Sequence, residues 1–159
     1  MHNIQNRRRK KTSMKNISII FLLLFLSCSK KESVNNDWRE INTKDSIPKQ
    51  LNNVLLSING NLKIANPNED FEATDNIGNE NLPIRQLKLL AVKNNEWRLS
   101  YIQGGIGTSY FLIECTIKND SLYNLKIANS LLDLDNNDSI SKFIKQGKIE
   151  YKRLEKSER

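Results

Sequence analysis

The sequence predicts an α+β fold: an N-terminal helix packed on an antiparallel meander sheet of four to six strands, followed by a short C-terminal helix. Apolar residues recur at helical spacing from Ile47 to Leu62. Between Gln86 and Ile127, runs of alternating apolar and polar residues are separated by short turns. Such turns permit only antiparallel neighbours, because a parallel crossover needs a dozen or more residues. Residues 47–159 are therefore expected to form a single domain.

The first helix is predicted by apolar residues that lie three and four positions apart. Asp45 and Ser46 can cap its start, Pro48 is tolerated in a first turn, and Gly60 suits its end. The face expected to turn toward the core consists of Ile47, Leu51, Val54, Leu55, Ile58 and Leu62.

An irregular, acid-rich segment is expected at Asn66–Pro83. Carboxylate oxygens are the ligands that calcium prefers. The spacing of these acids does not match an EF-hand loop, and a solvated loop is the interpretation that we favour. The acids are Glu69, Asp70, Glu72, Asp75 and Glu80.

Four alternating runs predict the strands of the sheet. Asn94-Asn95 is a turn signal because asparagine tolerates positive φ, and Asn119-Asp120 turns the chain again. A third turn, formed by the glycines from Gly104 to Gly107, lies between the turns at Asn94-Asn95 and Asn119-Asp120 in the sequence. The residues expected to share a face within each strand are Leu87, Leu89 and Ala91; Trp97, Leu99 and Tyr101; Phe111, Ile113, Cys115 and Ile117; and Tyr123, Leu125 and Ile127.

The C-terminal helix is predicted to begin with Asp138 or Ser139 as its cap and to end at Gly147. Ile140, Phe143 and Ile144 share one face of it. Ser130–Leu134 is a candidate for a short additional strand. Beyond the helix, alternating Ile149 and Tyr151 are compatible with either an edge strand or a frayed end.

The glycine-rich turn and the aromatic residues near it are the candidate binding residues. The turn lacks the lysine and spacing of a phosphate-binding P-loop, so a hairpin turn is favoured. Turns at strand ends are common binding positions. The alternative for Trp97 and Tyr101, which we favour, is packing against the first helix. The candidates are Trp97, Tyr101, Gly104, Gly105 and Tyr110.

A calcium site is the other candidate, at Asp133, Asp135 and Asp138. Asp133, Asp135 and Asn137 follow the EF-hand pattern. The pattern then fails, because Asp138 stands where glycine is required. Ile144 stands where the bidentate glutamate should be. A turn followed by a helix cap is therefore favoured, and no metal or other cofactor is expected.

A leader peptide is predicted at residues 1–27. Six basic residues and no acidic ones precede an apolar run from Ile17 to Leu26. This run is about half the length that a membrane-spanning helix needs, and it suits the apolar region of a signal peptide. Met14 is a second possible start.

The end of this leader, Phe25-Leu26-Ser27-Cys28, resembles the bacterial lipobox, departing from it at Phe25. The resemblance implies that Cys28 carries a diacylglyceryl group and becomes the N-terminus after cleavage. Acyl chains anchor a protein stably without a spanning helix. The alternative is an ordinary secretory signal. The residue after the cysteine is Ser29 rather than aspartate, and in this the sequence resembles lipoproteins that are sorted to the outer membrane. We therefore expect a cell-envelope location, with the outer membrane favoured. Whether the domain faces the periplasm or the outside stays open.

Residues 28–46 are predicted to be the lipidated N-terminus and a flexible tether, because they are polar and have few apolar residues. Trp38 is the exception. It either docks on the domain or sits at the membrane interface, where tryptophan is enriched.

Charge and composition exclude several function classes. The formal net charge of +7 arises mainly from the leader, and without residues 1–27 the chain has 19 Lys and Arg against 18 Asp and Glu. Such a balance excludes a nucleic-acid-binding surface. His2, the single histidine, also leaves with the leader, which excludes histidine-dependent catalysis and a histidine-ligated zinc site. Cys115, without a cysteine partner, is expected to be buried.

These observations favour a non-enzymatic, membrane-tethered binding module that recognises a protein or a glycan, with an inhibitor or immunity-type lipoprotein as its narrower form. The alternatives are a structural or assembly lipoprotein of an envelope complex and a carboxylate-dependent hydrolase. The abundance of Asn, Lys and Ile is similar to that of Bacteroidota lipoproteins. The helix-then-meander order, with its hairpin Lys93–Arg98, resembles the nuclear-transport-factor-like cone folds of small bacterial lipoproteins; the resemblance transfers no site residue.

Overall fold

One antiparallel sheet of six strands in meander order, β1-β2-β3-β4-β5-β6, organises the molecule. The computed structural model describes residues 37–74 and 81–152. The leader and Cys28 therefore lie outside the described residues, as do Asp75 and Glu80. The elements are β1 (Arg39–Glu40), a 3-10 helix (Lys44–Ser46), α1 (Lys49–Asn59), β2 (Arg85–Lys93), β3 (Glu96–Gln103), β4 (Ser109–Lys118), β5 (Ser121–Ser130), α2 (Asn137–Lys145) and β6 (Tyr151–Lys152). The fold is α+β, and the predicted antiparallel meander is confirmed.

The first strand pairs with the sheet inside residues 28–46, the segment predicted to contain a flexible tether. Arg39 pairs with Val92 and Glu40 with Ala91. Ile41 then donates its backbone N–H to the Leu90 carbonyl at 2.7 Å. The sheet thus begins directly after Trp38.

The two ends of the sheet differ in their turns. At one end, here called the turn end, Asn94-Asn95 joins β2 to β3 and Asn119-Asp120 joins β4 to β5. Asn94 and Asn119 have φ values of 55° and 48°, as asparagine in such turns tolerates. The opposite end, here called the glycine end, carries the loop 104–108 between β3 and β4.

The helix α1 packs on one face of the sheet, here called the α1 face. It begins after Pro48, and Gly60 ends it in the left-handed region, at φ 72°. Leu51 and Leu55 of this helix are buried, in a cluster that also contains Ile47, Leu87, Leu90, Leu99, Tyr101, Ile113, Cys115 and Ile127. A helix is confirmed here, but the prediction that Asp45 or Ser46 caps it is wrong, because both residues lie in the preceding 3-10 helix and no side chain caps α1.

Two residues predicted for the core side of this helix, Ile58 and Leu62, are instead exposed. The last turn brings Asn59 to the sheet, where its amide donates to the Tyr101 hydroxyl at 3.3 Å. Leu62 lies beyond Gly60, so it no longer follows the helical period. The prediction that both residues face the core is wrong.

Irregular pairing in two strands changes which residues share a face. Between β2 and β3 the register shifts at Leu87 and Leu89. Leu87 therefore faces α1, whereas Leu89 and Ala91 face the opposite side. The prediction that these three residues share one face is wrong, because an extra residue in a strand reverses the direction of every later side chain.

The second shift lies between β4 and β5 at Glu114 and Thr116, where Asn124 has a positive φ of 52°. Tyr123 is exposed, while Leu125 packs against the α1-face core. The prediction that Tyr123 and Leu125 share a face is wrong. The reason is again an extra residue in one strand, here in β5 beside Asn124.

The opposite face of the sheet, here called the α2 face, is covered by α2. The helix is confirmed, and its cap is Asn136, whose side chain accepts from the Ser139 N–H at 2.8 Å. Neither Asp138 nor Ser139 is the cap. The buried residues on this face are Leu89, Ala91, Leu112, Ala128, Leu134, Ile140 and Ile149. The sheet is therefore buried on both sides.

After α2 the chain returns to the sheet. Gly147 adopts a positive φ of 67°, and Lys148 donates its N–H to the Phe143 carbonyl at 2.9 Å. Tyr151–Lys152 then pairs with β5, so the edge-strand alternative holds for these residues. In the described ranges, neither helix has the length and apolar character needed to cross a membrane.

Candidate functional site

A groove of about 520 Å³ opens on the α2 face near the turn end. Residues of β3, β4 and β5 form its floor, and Trp38 and Ile144 of α2 contribute to its walls. The side chains that matter for its chemistry are Trp38, Glu96, Arg98, Thr116, Asn124 and Lys126. Because α2 covers the rest of this face, the groove lies beside the helix.

The floor of the groove contains an ion pair between neighbouring strands. Arg98 of β3 lies opposite Glu114 of β4. The Arg98 Nη2 and Nε atoms lie 2.7 Å and 2.8 Å from the Glu114 Oε1 atom. Arg98 is 5% exposed, and a buried guanidinium needs such a partner.

The remaining polar atoms of this pair are also bonded. The Arg98 Nη1 atom donates to the Asn137 side chain and, at 2.9 Å, to the Ser141 hydroxyl, so both α2 residues tie the helix to the sheet. The Tyr151 hydroxyl donates to the Glu114 Oε2 atom. Burial, followed by this bond to Glu114, raises the pKa of Tyr151. The pair thus connects β3, β4, α2 and β6.

Trp38 forms one wall of the groove, where it contacts Arg98 and packs against the α2-face cluster. The Arg98 guanidinium carbon lies 4.3 Å from the centre of the indole ring. A cation over an aromatic face is attracted by the negative potential of the ring. Of the two alternatives predicted for Trp38, the structure shows the first, in which Trp38 packs on the domain.

Lys126 supplies the cation on the β5 side of the groove. Its ammonium lies 5.5 Å from the centre of the Tyr151 ring. Beside it, the Asn124 amide donates to the Thr116 hydroxyl at 3.4 Å. The groove therefore offers an indole ring, an amide, a hydroxyl and an ammonium group.

Cys115 lies behind the groove. Its side chain is buried, as predicted, and faces the α1-side core. Burial and, to a lesser extent, the Glu114 carboxylate raise the pKa of this thiol to about 11. At neutral pH the thiol is therefore protonated, which makes it a poor nucleophile.

The sequence-predicted binding residues do not form one site. Trp97 lies near the turn end among the residues that line the groove, but its side chain packs against the α1-face cluster, as favoured from the sequence. Gly104 and Gly105 lie at the glycine end. Seven positions along a strand separate Trp97 from Gly104, or roughly 23 Å. Tyr101 lies between them in the core, where its ring stacks on Phe111 at 5.0 Å. The structure thus brings none of the other candidates to Trp97.

The residues at the glycine end have structural surroundings of their own. A Cβ on Gly104 would lie 2.3 Å from the Glu72 carbonyl oxygen, so a larger residue does not fit there. Tyr110 is half-buried, and burial together with Asp133 raises its pKa to about 12. Close packing therefore accounts for the glycine at position 104.

The aspartates considered for calcium do not converge. Asp135 accepts from the neighbouring Asn136 amide at 2.7 Å, and Asp138 lies in the first turn of α2. Across residues 37–74 and 81–152, no three His, Cys, Asp or Glu side chains are grouped in a way that could hold a metal ion.

Sequence patterns gave little sign of the groove. Arg98 and Glu114 occupy the polar alternation of their strands, which is typical of a solvent-facing side. The available signal was Leu112, a large apolar residue on the same face of β4 as Glu114. No protein-family model, curated protein or solved structure matches the chain.

Proposed function

We propose that the protein is a lipid-anchored binding module of the cell envelope, which recognises a protein or glycan through the groove beside Trp38. The observation that carries this proposal is the fixed position of Trp38 over the Arg98–Glu114 pair. A rigid aromatic wall loses little entropy when a ligand packs on it.

The leader supports the envelope location. Cys28 follows a basic segment and a short apolar run, and lipid on this cysteine would hold the domain at a membrane. The described part of the domain begins at Asp37, next to Trp38 of the groove. The outer membrane is the proposed location.

The chemistry of the groove supports binding of a polar chain with apolar faces. Ligand sites of roughly 300–1,000 Å³ combine aromatic surface with a few polar groups that fix orientation. The indole of Trp38 supplies the apolar surface, and Asn124, Thr116 and Lys126 supply polar groups. An extended peptide or a short oligosaccharide matches this combination.

The narrower proposal is an inhibitor or immunity-type lipoprotein. Its ligand would be a single envelope-directed toxin or hydrolase, bound with nanomolar or tighter affinity. An assembly lipoprotein would instead be recovered in a constant ratio with several membrane proteins. Quantifying the partners that remain attached after purification separates these two forms.

Photo-crosslinking in cells tests the proposal. p-Benzoylphenylalanine replaces Thr116, which lines the groove, and in a control chain it replaces the exposed Lys118 on the same face of the same strand. Full-length chains are expressed in the native envelope and irradiated. One adduct of defined mass from position 116 that is absent from position 118 is expected, and identical patterns from the two positions would refute groove recognition.

A further inference from the structure

Lys126 is a charged residue of the groove that has no carboxylate partner. In the described part of the chain, the charged residues that line the groove are Glu96, Arg98, Glu114 and Lys126. Arg98 and Glu114 pair with each other at 2.7 Å. Within residues 37–74 and 81–152 the other ion pair lies elsewhere in the molecule, so Lys126 and Glu96 are left unpaired.

Glu114 faces Lys126 on the neighbouring strand, but its oxygens are already bonded. The two residues are directly opposite in the β4–β5 register. The Glu114 Oε1 atom accepts from Arg98 at 2.8 Å, and its Oε2 atom accepts from the Tyr151 hydroxyl. Among the described residues the Lys126 ammonium makes no hydrogen bond. Its three N–H donors are therefore available to a ligand.

Tyr151 positions this ammonium at the β5 side of the groove. The Lys126 Nζ atom lies 5.5 Å from the centre of the Tyr151 ring, a distance at which an aromatic ring attracts a cation. The ring is itself fixed, because Tyr151 pairs with β5 through its backbone and bonds to Glu114 through its hydroxyl. A cation whose position is set before binding loses less entropy when a ligand arrives.

A neutral donor lies beside Lys126 on the same strand. Asn124 and Thr116 also line the groove, and the Asn124 amide donates to the Thr116 hydroxyl oxygen at 3.4 Å. A side-chain amide carries two N–H donors, so one of them remains for a ligand. An ammonium with a neighbouring N–H donor is a suitable partner for a carboxylate, because hydrogen bonds to an ionised acceptor are the stronger ones.

The unpaired carboxylate of Glu96 lies on the other side of the groove. Glu96 belongs to β3 and Lys126 to β5, so the strand between them separates the two by roughly 10 Å. Across the β2–β3 turn, Glu96 faces Lys93, which places a cation beside it. The β5 side of the groove is therefore the side at which an anion is favoured.

The number of available cations indicates which kind of anion fits. Anionic membranes are bound by clusters of about four to eight lysines or arginines, and polyanionic chains by runs of basic residues. The described lining of the groove offers one unpaired cation. The lysines nearest in the sequence to the lining residues, which are Lys93, Lys118 and Lys145, do not line it. A single carboxylate, as on an acidic residue or the C-terminus of a protein, matches this arrangement.

We infer that Lys126 determines the specificity of the groove by pairing with a carboxylate of a protein segment. Asn124 donates to the same carboxylate, and Trp38 packs against an apolar part of the segment. This inference rests on the proposed function, because it names the ligand chemistry of the same groove. Tyr151 is then a positioning residue, since its ring sets the location of the Lys126 ammonium.

The test is photo-crosslinking of full-length chains in intact cells, with p-benzoylphenylalanine at position 96. This position lines the groove, and its replacement leaves Lys126, Asn124 and Thr116 unchanged. One protein adduct is expected. Its yield should fall about tenfold in Lys126→Gln, the loss that removal of a charge-assisted hydrogen bond typically causes, and Lys126→Arg should retain most of it. Lys118→Gln, which removes a lysine outside the lining, is the matched control and should leave the yield unchanged.

Mass spectrometry of the adduct identifies the ligand segment, and this makes an exchange of charges possible. Lys126→Glu should abolish the adduct, because two carboxylates then face each other. Replacing the acidic residue of the ligand with lysine should restore the adduct with Lys126→Glu and not with the unchanged chain.

The outcomes separate the inference from the proposed function. A glycan adduct, equal yields with and without Lys126→Gln, equal losses from Lys126→Gln and Lys126→Arg, or no recovery after the charge exchange would each overturn the inference and leave the groove as a binding site. Lipid adducts alone, or no specific adduct from positions 96 and 116, would refute the proposed function and the inference together. The thermal unfolding midpoint of Lys126→Gln verifies that this exposed substitution leaves the fold intact.

Discussion

The two faces of the sheet each bury one arginine, and they do so with different partners. On the α1 face, Arg85 bonds to neutral oxygens of Gln103, Asn61 and Asn59. On the α2 face, Arg98 pairs with the carboxylate of Glu114. Both arginines are 5% exposed, so the difference lies in how each buried charge is compensated.

The partner of Arg85 that matters most is the end of α1. Carbonyl groups at a helix C-terminus carry a partial negative charge, which favours a nearby cation. Burial lowers the pKa of Arg85, but an arginine stays protonated at neutral pH. Arg85 therefore bonds to the C-terminal end of α1. Arg98 instead contacts Glu114 and Trp38, which line the groove.

Removing the carboxylate on the α2 face should have the largest effect. Glu114→Gln leaves Arg98 buried without a counter-charge, and breaking a buried pair costs about 3 to 5 kcal/mol of unfolding free energy. Urea titration measures the loss. Glu96→Gln, an exposed change at the same groove, is the matched control and should stay within about 0.5 kcal/mol; equal losses for both would mean that the pair is not buried in solution.

Removing the arginine on the α1 face should cost less. Arg85→Met takes away bonds to neutral partners, of which Asn61 is exposed and can turn to water. The bonds to Gln103 and Asn59, which are only partly exposed, contribute about 1 kcal/mol net each, so a loss of about 2 kcal/mol is expected in the same titration. A loss larger than that of Glu114→Gln would reverse the comparison between the faces.

Releasing the groove wall should cost less than breaking the Arg98–Glu114 pair. Trp38→Ala removes the stacking on Arg98, which contributes about 1 kcal/mol at a partly exposed site, together with the packing of the half-buried indole against the α2-face cluster. Trp38→Phe keeps an aromatic face and should recover most of this stability. If alanine and phenylalanine gave identical unfolding midpoints, the contact between Trp38 and Arg98 would be insignificant in solution.

The smallest effect is expected from Glu69. Its carboxylate accepts from the Asn66 N–H at 2.8 Å and from Lys44 at 2.9 Å, and these bonds lower its pKa to about 2. Because the folded pKa lies below that of the unfolded chain, this contribution is present above about pH 4.5. It is lost as pH falls toward 2. Glu69→Gln should flatten the fall in unfolding midpoint across that window, and an unchanged slope would contradict the assignment.

Local sequence patterns predicted most of the helices and strands, but not always the face of the sheet on which each side chain lies. The turns at Asn94 and Asn119 and the helical period from Leu51 to Leu55 depend on neighbouring residues, and they were found as expected. The register shifts at Leu89 and Asn124 depend on pairing with another strand. The alternation within one strand does not show how that strand pairs with its neighbour. Leu89, Ala91 and Tyr123 were therefore predicted on the wrong faces.

The candidate site depended still more on distant contacts. Arg98 and Glu114 alternate with apolar residues as solvent-facing side chains do, and α2 covers them from nearly 40 positions away, through Asn137. Trp38 lies in a polar stretch that predicts a tether. Its docking depends on Arg98 and on the α2-face cluster, which lie far from it in the sequence, so Trp38 by itself does not indicate the groove.

The most direct test of ligand binding in the groove is a variant that alters the groove but keeps the domain folded. In the variant Arg98→Met, Glu114→Leu, apolar residues replace the buried pair, an exchange that typically changes stability little or favourably. The variant should therefore fold, while Trp38 loses the guanidinium against its ring and keeps only its packing on the α2-face cluster. We predict that crosslinking from position 116 in cells then falls to the level of the Lys118 control. A folded variant that retained the full adduct would show that the ligand does not depend on the Trp38 wall, and would contradict the proposed function of the groove.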